Sequence, residues 1–147
     1  MIEEKLENSK YRYLIEEAKQ ALEMSYSPYS HFCVGAALED DKGKIWTGCN
    51  IENASYSPTI CAERTALFKA VSEGVRDFRA LAIVGKREAD EDISRSFTGP
   101  CGVCRQALIE FCSEDIPIVL ANSEGLVRTY SLSELLPLSF GKKDLEN

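Results

Sequence analysis

Apolar and polar positions change period several times along this chain. From about Glu3 to Met24 the pattern is helical, with Leu14, Ala18, Ala21 and Leu22 on one face. Ser27-Pro28-Tyr29-Ser30 breaks that period. Val34, Ala36 and Leu38 then alternate as a strand does, Asp40-Asp41-Lys42-Gly43 turns, and Ile45-Trp46-Thr47 returns, which predicts a hairpin. Asn50 to Thr59 reads as a loop, and a second helix is expected from near Ile60 to Glu73, stopped by Gly74. Leu81 to Val84 is a short buried strand. The charged stretch Lys86 to Arg95 reads as an exposed loop and as the most mobile segment. A third helix is expected from Pro100 to near Phe111, since proline suits a first helical turn. Ile116–Leu120 and Val127–Tyr130 read as strands, and Ser131 with Glu134 forms a capping-box signal for a short helix ended by Pro137.

Strand–helix–strand units need crossovers that place helices on the faces of a sheet. The order therefore predicts an α/β fold: a three-layer α/β/α sandwich around a mixed five-stranded sheet. No repeat or flexible linker divides residues 1–147, so one domain is expected. No apolar run reaches the length of a membrane span, and the polar start Met1-Ile2-Glu3-Glu4-Lys5 does not read as a signal peptide. A cytoplasmic protein with reduced cysteines is the expectation. The net charge of −7, without a cluster of Lys and Arg, argues against a nucleic-acid partner and for a small substrate.

Six cysteines include the spacing Cys101-Gly102-Val103-Cys104 after Pro100, and Cys61-Ala62-Glu63. In a reducing compartment C-x-x-C points to metal or redox chemistry. Cys101 and Cys104 share a helical face. Cys61 lies at the start of the preceding helix, so two helix N-termini can converge on one metal and favour thiolates there. Three sulfurs leave a tetrahedral zinc shell one position short, as in catalytic sites, and Glu63 is then a proton carrier beside a water. Arg64 and Arg105 follow the ligands closely and can donate to the thiolates. Spacing alone leaves three readings open: an open zinc site, a redox-active or accidental C-x-x-C, and a structural site closed by Cys33, Cys49, Cys112 or His31. Cys49 is the strongest of those closures, because Cys112 falls at the far end of the third helix.

The flanking residues narrow the choice. Ser27 to Leu38 (SPYSHFCVGAAL), Thr47 to Tyr56 (TGCNIENASY), Cys61 to Ala66 (CAERTA) and Pro100 to Gln106 (PCGVCRQ) together closely resemble the cytidine deaminases of the small homotetrameric, three-cysteine class. The resemblance runs in order over roughly residues 12 to 140, including Glu134-Leu135-Leu136-Pro137. It implies zinc held by Cys61, Cys101 and Cys104, and Glu63 as the catalytic proton shuttle in attack of an activated water on C4 of cytosine. It assigns Asn50 and Glu52 to the ribose, Phe32 to packing on the pyrimidine, and the backbone N–H of Ala62 to the O2 carbonyl. Tyr56 and Phe140 match aromatics that complete a neighbouring subunit's site, so a homotetramer is implied. His31 is read as a surface or loop residue and not a ligand, and Cys33 as a small core or loop residue. The expected reaction is hydrolysis of cytidine and 2′-deoxycytidine to the uridines in pyrimidine salvage. The alternatives are a polynucleotide cytidine deaminase, a relative acting on a cytosine-containing antibiotic, and a non-enzymatic zinc-stabilised interaction module.

Overall fold

A computed structural model describes residues 1–146. Six strands form one mixed sheet: β1 (Ile2–Lys5), β2 (Phe32–Asp40), β3 (Ile45–Cys49), β4 (Phe78–Arg87), β5 (Pro117–Ala121) and β6 (Leu126–Ser131). Their order across the sheet is β1-β6-β5-β4-β2-β3. Only β4 and β5 run parallel, and helix α3 (Gly102–Phe111) makes the crossover between them. Helices α1 (Arg12–Leu22), α2 (Ala62–Ser72) and α4 (Leu132–Leu135) complete the elements that matter below.

The period-2 alternation of the strands divides the core into two layers. Ala80, Ala82 and Val84 of β4 turn to one face, where Leu14, Ile15, Ala18 and Leu22 of α1 cover them. Leu81 and Ile83 turn to the other face and meet Leu67 and Ala70 of α2, Leu108 of α3 and Leu132 of α4. The three-layer α/β/α architecture follows. Burial of Leu67, Leu81, Ile83 and Leu108 contributes about 1.5–3 kcal/mol each, which holds the N-termini of α2 and α3 at fixed places over the sheet.

Two expectations need correction. The sheet has six strands rather than five, because Ile2–Lys5 pairs antiparallel with Leu126–Thr129 instead of extending the first helix. Glu3 pairs with Arg128 at 2.7 Å, a 3₁₀ turn spans Leu6–Asn8, and α1 starts only at Arg12. The charged residues Glu3, Glu4 and Lys5 carry no β signal of their own, and the partner strand decides their state. The second correction concerns Lys86–Arg95. β4 continues through Arg87, pairing Lys86 with Cys33 and Arg87 with Phe32. The remainder is tied down: Ser94 donates its N–H to the Gly85 carbonyl at 2.8 Å, and Ile93 is only 8% exposed, within the α1-side core.

The Asp40–Lys44 turn has its predicted chemistry. Gly43 takes φ = 85°, while buried Asp40 accepts the N–H groups of Lys42 and Lys44 and the indole N–H of Trp46. Gly74 ends α2 with φ = 93°. Ser131 and Glu134 form the expected capping box at α4. Among the described residues, no helix is long and apolar enough to cross a membrane.

Candidate metal centre and adjoining pocket

Two helix starts carry the three sulfurs. Cys61 is the N-cap of α2, and Cys101 is the N-cap of α3, where its sulfur accepts the Cys104 N–H at 3.5 Å. α3 begins at Gly102 rather than Pro100, which puts Cys104 three positions past the cap and on the same side as Cys101. The Cys61 and Cys101 sulfurs lie 3.7 Å apart, and those of Cys101 and Cys104 lie 3.5 Å apart. All three lie within 4.8 Å of one another. For Zn–S bonds of about 2.3 Å, the edge of a tetrahedral shell is about 3.8 Å, so this spacing fits one zinc ion. The sulfurs are too far apart for a disulfide, whose S–S bond is about 2.05 Å.

Cys33, Cys49, Cys112 and His31 stand outside this group. Cys112 is buried at the far end of α3, and burial pushes its thiol up to about 12. Burial likewise raises the Cys49 thiol. Cys33 sits in the core under α1 with its sulfur 3.4 Å from the Ser27 hydroxyl. His31 is exposed, with Nδ1 2.9 Å from a Glu88 carboxylate oxygen. Among the described residues, then, no fourth protein ligand joins the three sulfurs.

Arg64 places a positive charge beside two of the three sulfurs. Arg64 lies one turn into α2, so its side chain lies back over the helix start. Its Nε donates to Cys104 and its terminal nitrogen to Cys61, both at 3.4 Å. Burial alone lowers the Arg64 pKa, but those two bonds to sulfur outweigh it and raise it. The hydrogen bond from Cys104, reinforced by Arg64, lowers the Cys61 thiol to about 5, and the same bond raises Cys104. Arg105 does something else. Its Nε donates to the Pro100 carbonyl at 2.8 Å and a terminal nitrogen donates to the Leu135 carbonyl at 2.5 Å. Both of these bonds go to backbone carbonyls and neither goes to a sulfur, unlike those of Arg64.

Glu63 follows Ala62 in the first turn of α2 and is 3% exposed. Burial pushes its carboxyl up to about 7. A group with that proton affinity can both accept and release a proton near neutrality. Ala62 is fully buried and its N–H is one of the first-turn donors that lack an intrahelical acceptor.

Phe32, Asn50 and Glu52 come together where β2 begins and β3 ends. Asn50, one residue past β3, accepts the Val34 N–H at 2.9 Å and donates to the Phe32 carbonyl at 2.8 Å. Glu52 accepts the N–H groups of Tyr29 and Ser30, each at 3.0 Å, and the Ser30 hydroxyl. Burial draws its carboxyl upward, but the bonds from Ser30 and Tyr29 prevail and hold it below its ordinary value. Glu52 lines a hollow of about 360 Å³ with Tyr29, Ser30, Tyr56 and Thr59. Tyr56 is 73% exposed, has φ = 61°, and meets the Tyr29 ring edge-on at 6.2 Å. Phe140 does not join this group. It is 60% exposed on the C-terminal segment, where Gln106 donates to its carbonyl at 2.9 Å.

Ser25, Tyr29, Ser30 and Gln106 organise these side chains, and sequence reasoning assigned none of them a role. Tyr29 and Ser30 belong to Ser27-Pro28-Tyr29-Ser30, which reads as a break in the helix period, and their bonds to Glu52 reveal a second use; Ser25 bonds Asn50 and Gln106 bonds the Phe140 carbonyl.

Comparison with known proteins agrees with this arrangement. Residues 8–120 match the family described as the cytidine and deoxycytidylate deaminase zinc-binding region. The cytidine deaminase of Sporosarcina psychrophila is 51% identical over 132 residues, covering 90% of this chain and 92% of that protein. The crystal structure of cytidine deaminase from Burkholderia pseudomallei superposes with a TM-score of 0.81 at 46% identity, covering 90% of this chain and all of that one. That from Mycobacterium tuberculosis gives 0.74 at 36% identity, covering 91% and 99%.

Proposed function

The chain belongs to the cytidine and deoxycytidylate deaminase family, and from that membership we propose that it hydrolyses cytidine and 2′-deoxycytidine to uridine and 2′-deoxyuridine, releasing ammonia, with zinc as cofactor. The observation that carries this reading is the juxtaposition of three sulfurs at zinc-binding distance with the buried, proton-accepting Glu63 two residues from Cys61.

Cys61, Cys101 and Cys104 hold the zinc in this reading. The metal supplies Lewis acidity that brings the pKa of a water near neutrality. Glu63 takes the proton from the attacking water and delivers it to N3 of the ring, which makes C4 electrophilic. The new C4–O bond forms, Glu63 takes the second proton from the hydroxyl now on C4 and gives it to the exocyclic nitrogen, and the C4–N bond breaks to release ammonia and leave the C4 carbonyl. One carboxylate serves throughout because each transfer regenerates the form needed next. Arg64 offsets the excess negative charge of three thiolates, and the Ala62 N–H holds the ring O2. Phe32 packs on the pyrimidine, and Asn50 with Glu52 holds the ribose.

We further read residues 1–147 as one deaminase domain, with Asn147 outside the described residues, and the active form as a cytoplasmic homotetramer. Tyr56 and Phe140, exposed in the single chain, supply aromatic walls to neighbouring sites. A steady-state ultraviolet assay on cytidine, 2′-deoxycytidine and cytosine, with zinc determined on the same sample, tests the reading. Loss of absorbance with both nucleosides is expected. None from zinc-loaded protein would leave a non-catalytic zinc module as the better account. Sedimentation is expected to show a tetramer, and a fully active monomer would overturn that part.

A further inference from the structure

The proposed substrate contacts Phe32, Asn50 and Glu52 are joined through a fourth residue that the reaction does not use. The Ser30 hydroxyl donates to Glu52 Oε2 at 2.5 Å and accepts the Phe32 N–H at 3.1 Å. The Phe32 carbonyl in turn accepts from Asn50 Nδ2 at 2.8 Å. The peptide groups of Phe32 therefore connect the carboxylate to the amide, with Ser30 closing the link on the carboxylate side.

Counting donors and acceptors shows what this network leaves over. A carboxylate oxygen offers about two lone-pair sites, and an amide nitrogen offers two hydrogens. Glu52 Oε1 is filled by the N–H groups of Tyr29 and Ser30. Oε2 has given one site to the Ser30 hydroxyl and keeps one. Asn50 Oδ1 is filled by the Val34 N–H and the Ser25 hydroxyl at 2.5 Å. Its Nδ2 has given one hydrogen to Phe32 and keeps one. What remains is one acceptor on Glu52 and one donor on Asn50. A hydroxyl answers both at once. An esterified oxygen has no hydrogen for Glu52, and a phosphate ester brings negative charge against it.

We propose that Ser30 is a specificity-determining positioning residue: by occupying one face of the Glu52 carboxylate and tying it to the Phe32 backbone, it leaves the Asn50–Glu52 pair able to accept only a free ribose 3′-hydroxyl and unable to accept a 3′-esterified cytidine. This rests on the reading of Asn50 and Glu52 as ribose contacts. Cytidine within a polynucleotide is thereby excluded by hydrogen-bond complementarity at the sugar as well as by the acidic net charge of the chain.

The test compares 2′-deoxycytidine with 2′,3′-dideoxycytidine, which differ only at the 3′ position. The wild-type protein is expected to prefer the hydroxylated substrate. Ser30→Ala is expected to lower kcat/KM for 2′-deoxycytidine at least ~10-fold, mainly through KM, the size of one lost hydrogen bond to a charged group. Its kcat/KM for the dideoxy substrate should fall less than that for 2′-deoxycytidine, so the wild-type preference narrows, and Ser30→Thr should retain the wild-type ratio. A Ser30→Ala variant that keeps the wild-type ratio, whether both values fall or neither does, overturns the role of Ser30 while leaving the ribose assignment standing. A wild-type protein with no preference overturns both. Cytidine 3′-phosphate provides a check on the wild-type protein alone: it should not be turned over, and turnover at the cytidine rate overturns the proposal.

Discussion

Gly48 of β3 lies so close beneath Ala62 of α2 that a Cβ added to it would stand 2.4 Å from the Ala62 carbonyl oxygen and 2.5 Å from the Ala66 nitrogen. The strand can approach the helix start only because that side chain is missing. Thr65 strengthens the contact by donating its hydroxyl to the Cys49 carbonyl at 3.0 Å. Cys61 and Glu63 are thus set in height above the sheet by a glycine in the neighbouring strand. Gly48→Ala is expected to push α2 outward, destabilising the fold by ~1–3 kcal/mol as overpacking does and weakening zinc retention. Chemical denaturation and zinc content, measured together, check this. Unchanged values for both would remove the contact from the account of the site.

Glu63 and the sulfurs separate cleanly by mutation. Glu63→Gln keeps the volume and the helix start but loses the proton acceptor. Zinc stoichiometry should be unchanged while kcat falls at least ~10²-fold. Near-normal kcat in this variant would assign the proton transfers elsewhere.

The two arginines that follow the cysteines should behave differently. Arg64→Ala removes the donors to Cys61 and Cys104. Loss of such an outer partner is expected to lower zinc affinity ~10–100-fold, measured by competition with a chelator. Arg105→Ala breaks bonds to Pro100 and Leu135 instead. It should lower thermal stability and loosen the C-terminal segment while changing zinc affinity less than Arg64→Ala does. Equal losses of affinity would contradict the division of labour seen in the structure.

Asp40 gives a pH prediction. Burial raises its carboxyl, but the Trp46 indole and the N–H groups of Lys44 and Lys42 outweigh that and hold it below its ordinary value of 3.8. A depressed folded-state pKa means that the ionised group stabilises the fold fully above the unfolded value, and that this part is lost as pH falls through the folded value. Unfolding free energy should therefore decline below about pH 4, near the unfolded carboxyl value. Asp40→Asn should be less stable at pH 7 by ~1–3 kcal/mol, since one acceptor is replaced and its partners are left unpaired. Its stability should also change less over the acid range. A variant with the wild-type acid slope would show that other carboxyls set it.

Much of this protein was legible before any coordinates. The hairpin around Gly43, the end of α2 at Gly74 and the capping box at Ser131 are short-range signals, written in residues that touch their neighbours in sequence. The spacing of Cys101 and Cys104 is equally local, because three positions are one helical turn. That Cys61 joins them depends on two helices packing on one face of a sheet, which no local pattern encodes; its place at a helix start allowed the convergence, and the likeness of four separated motifs singled it out. Ile2–Lys5 became a strand because β6 offered an edge, and Ile93 fastened a charged loop because the core beneath α1 had room for it. Arg105 binds the carbonyls of Pro100 and Leu135, the second of them 30 residues away in sequence and beyond any local signal. The chemistry of the donors is a property of residue type and is present in the chain from the start. Their partners are chosen by long-range packing, which exists only once the sheet and its two helical layers have closed around Leu67, Leu81 and Leu108.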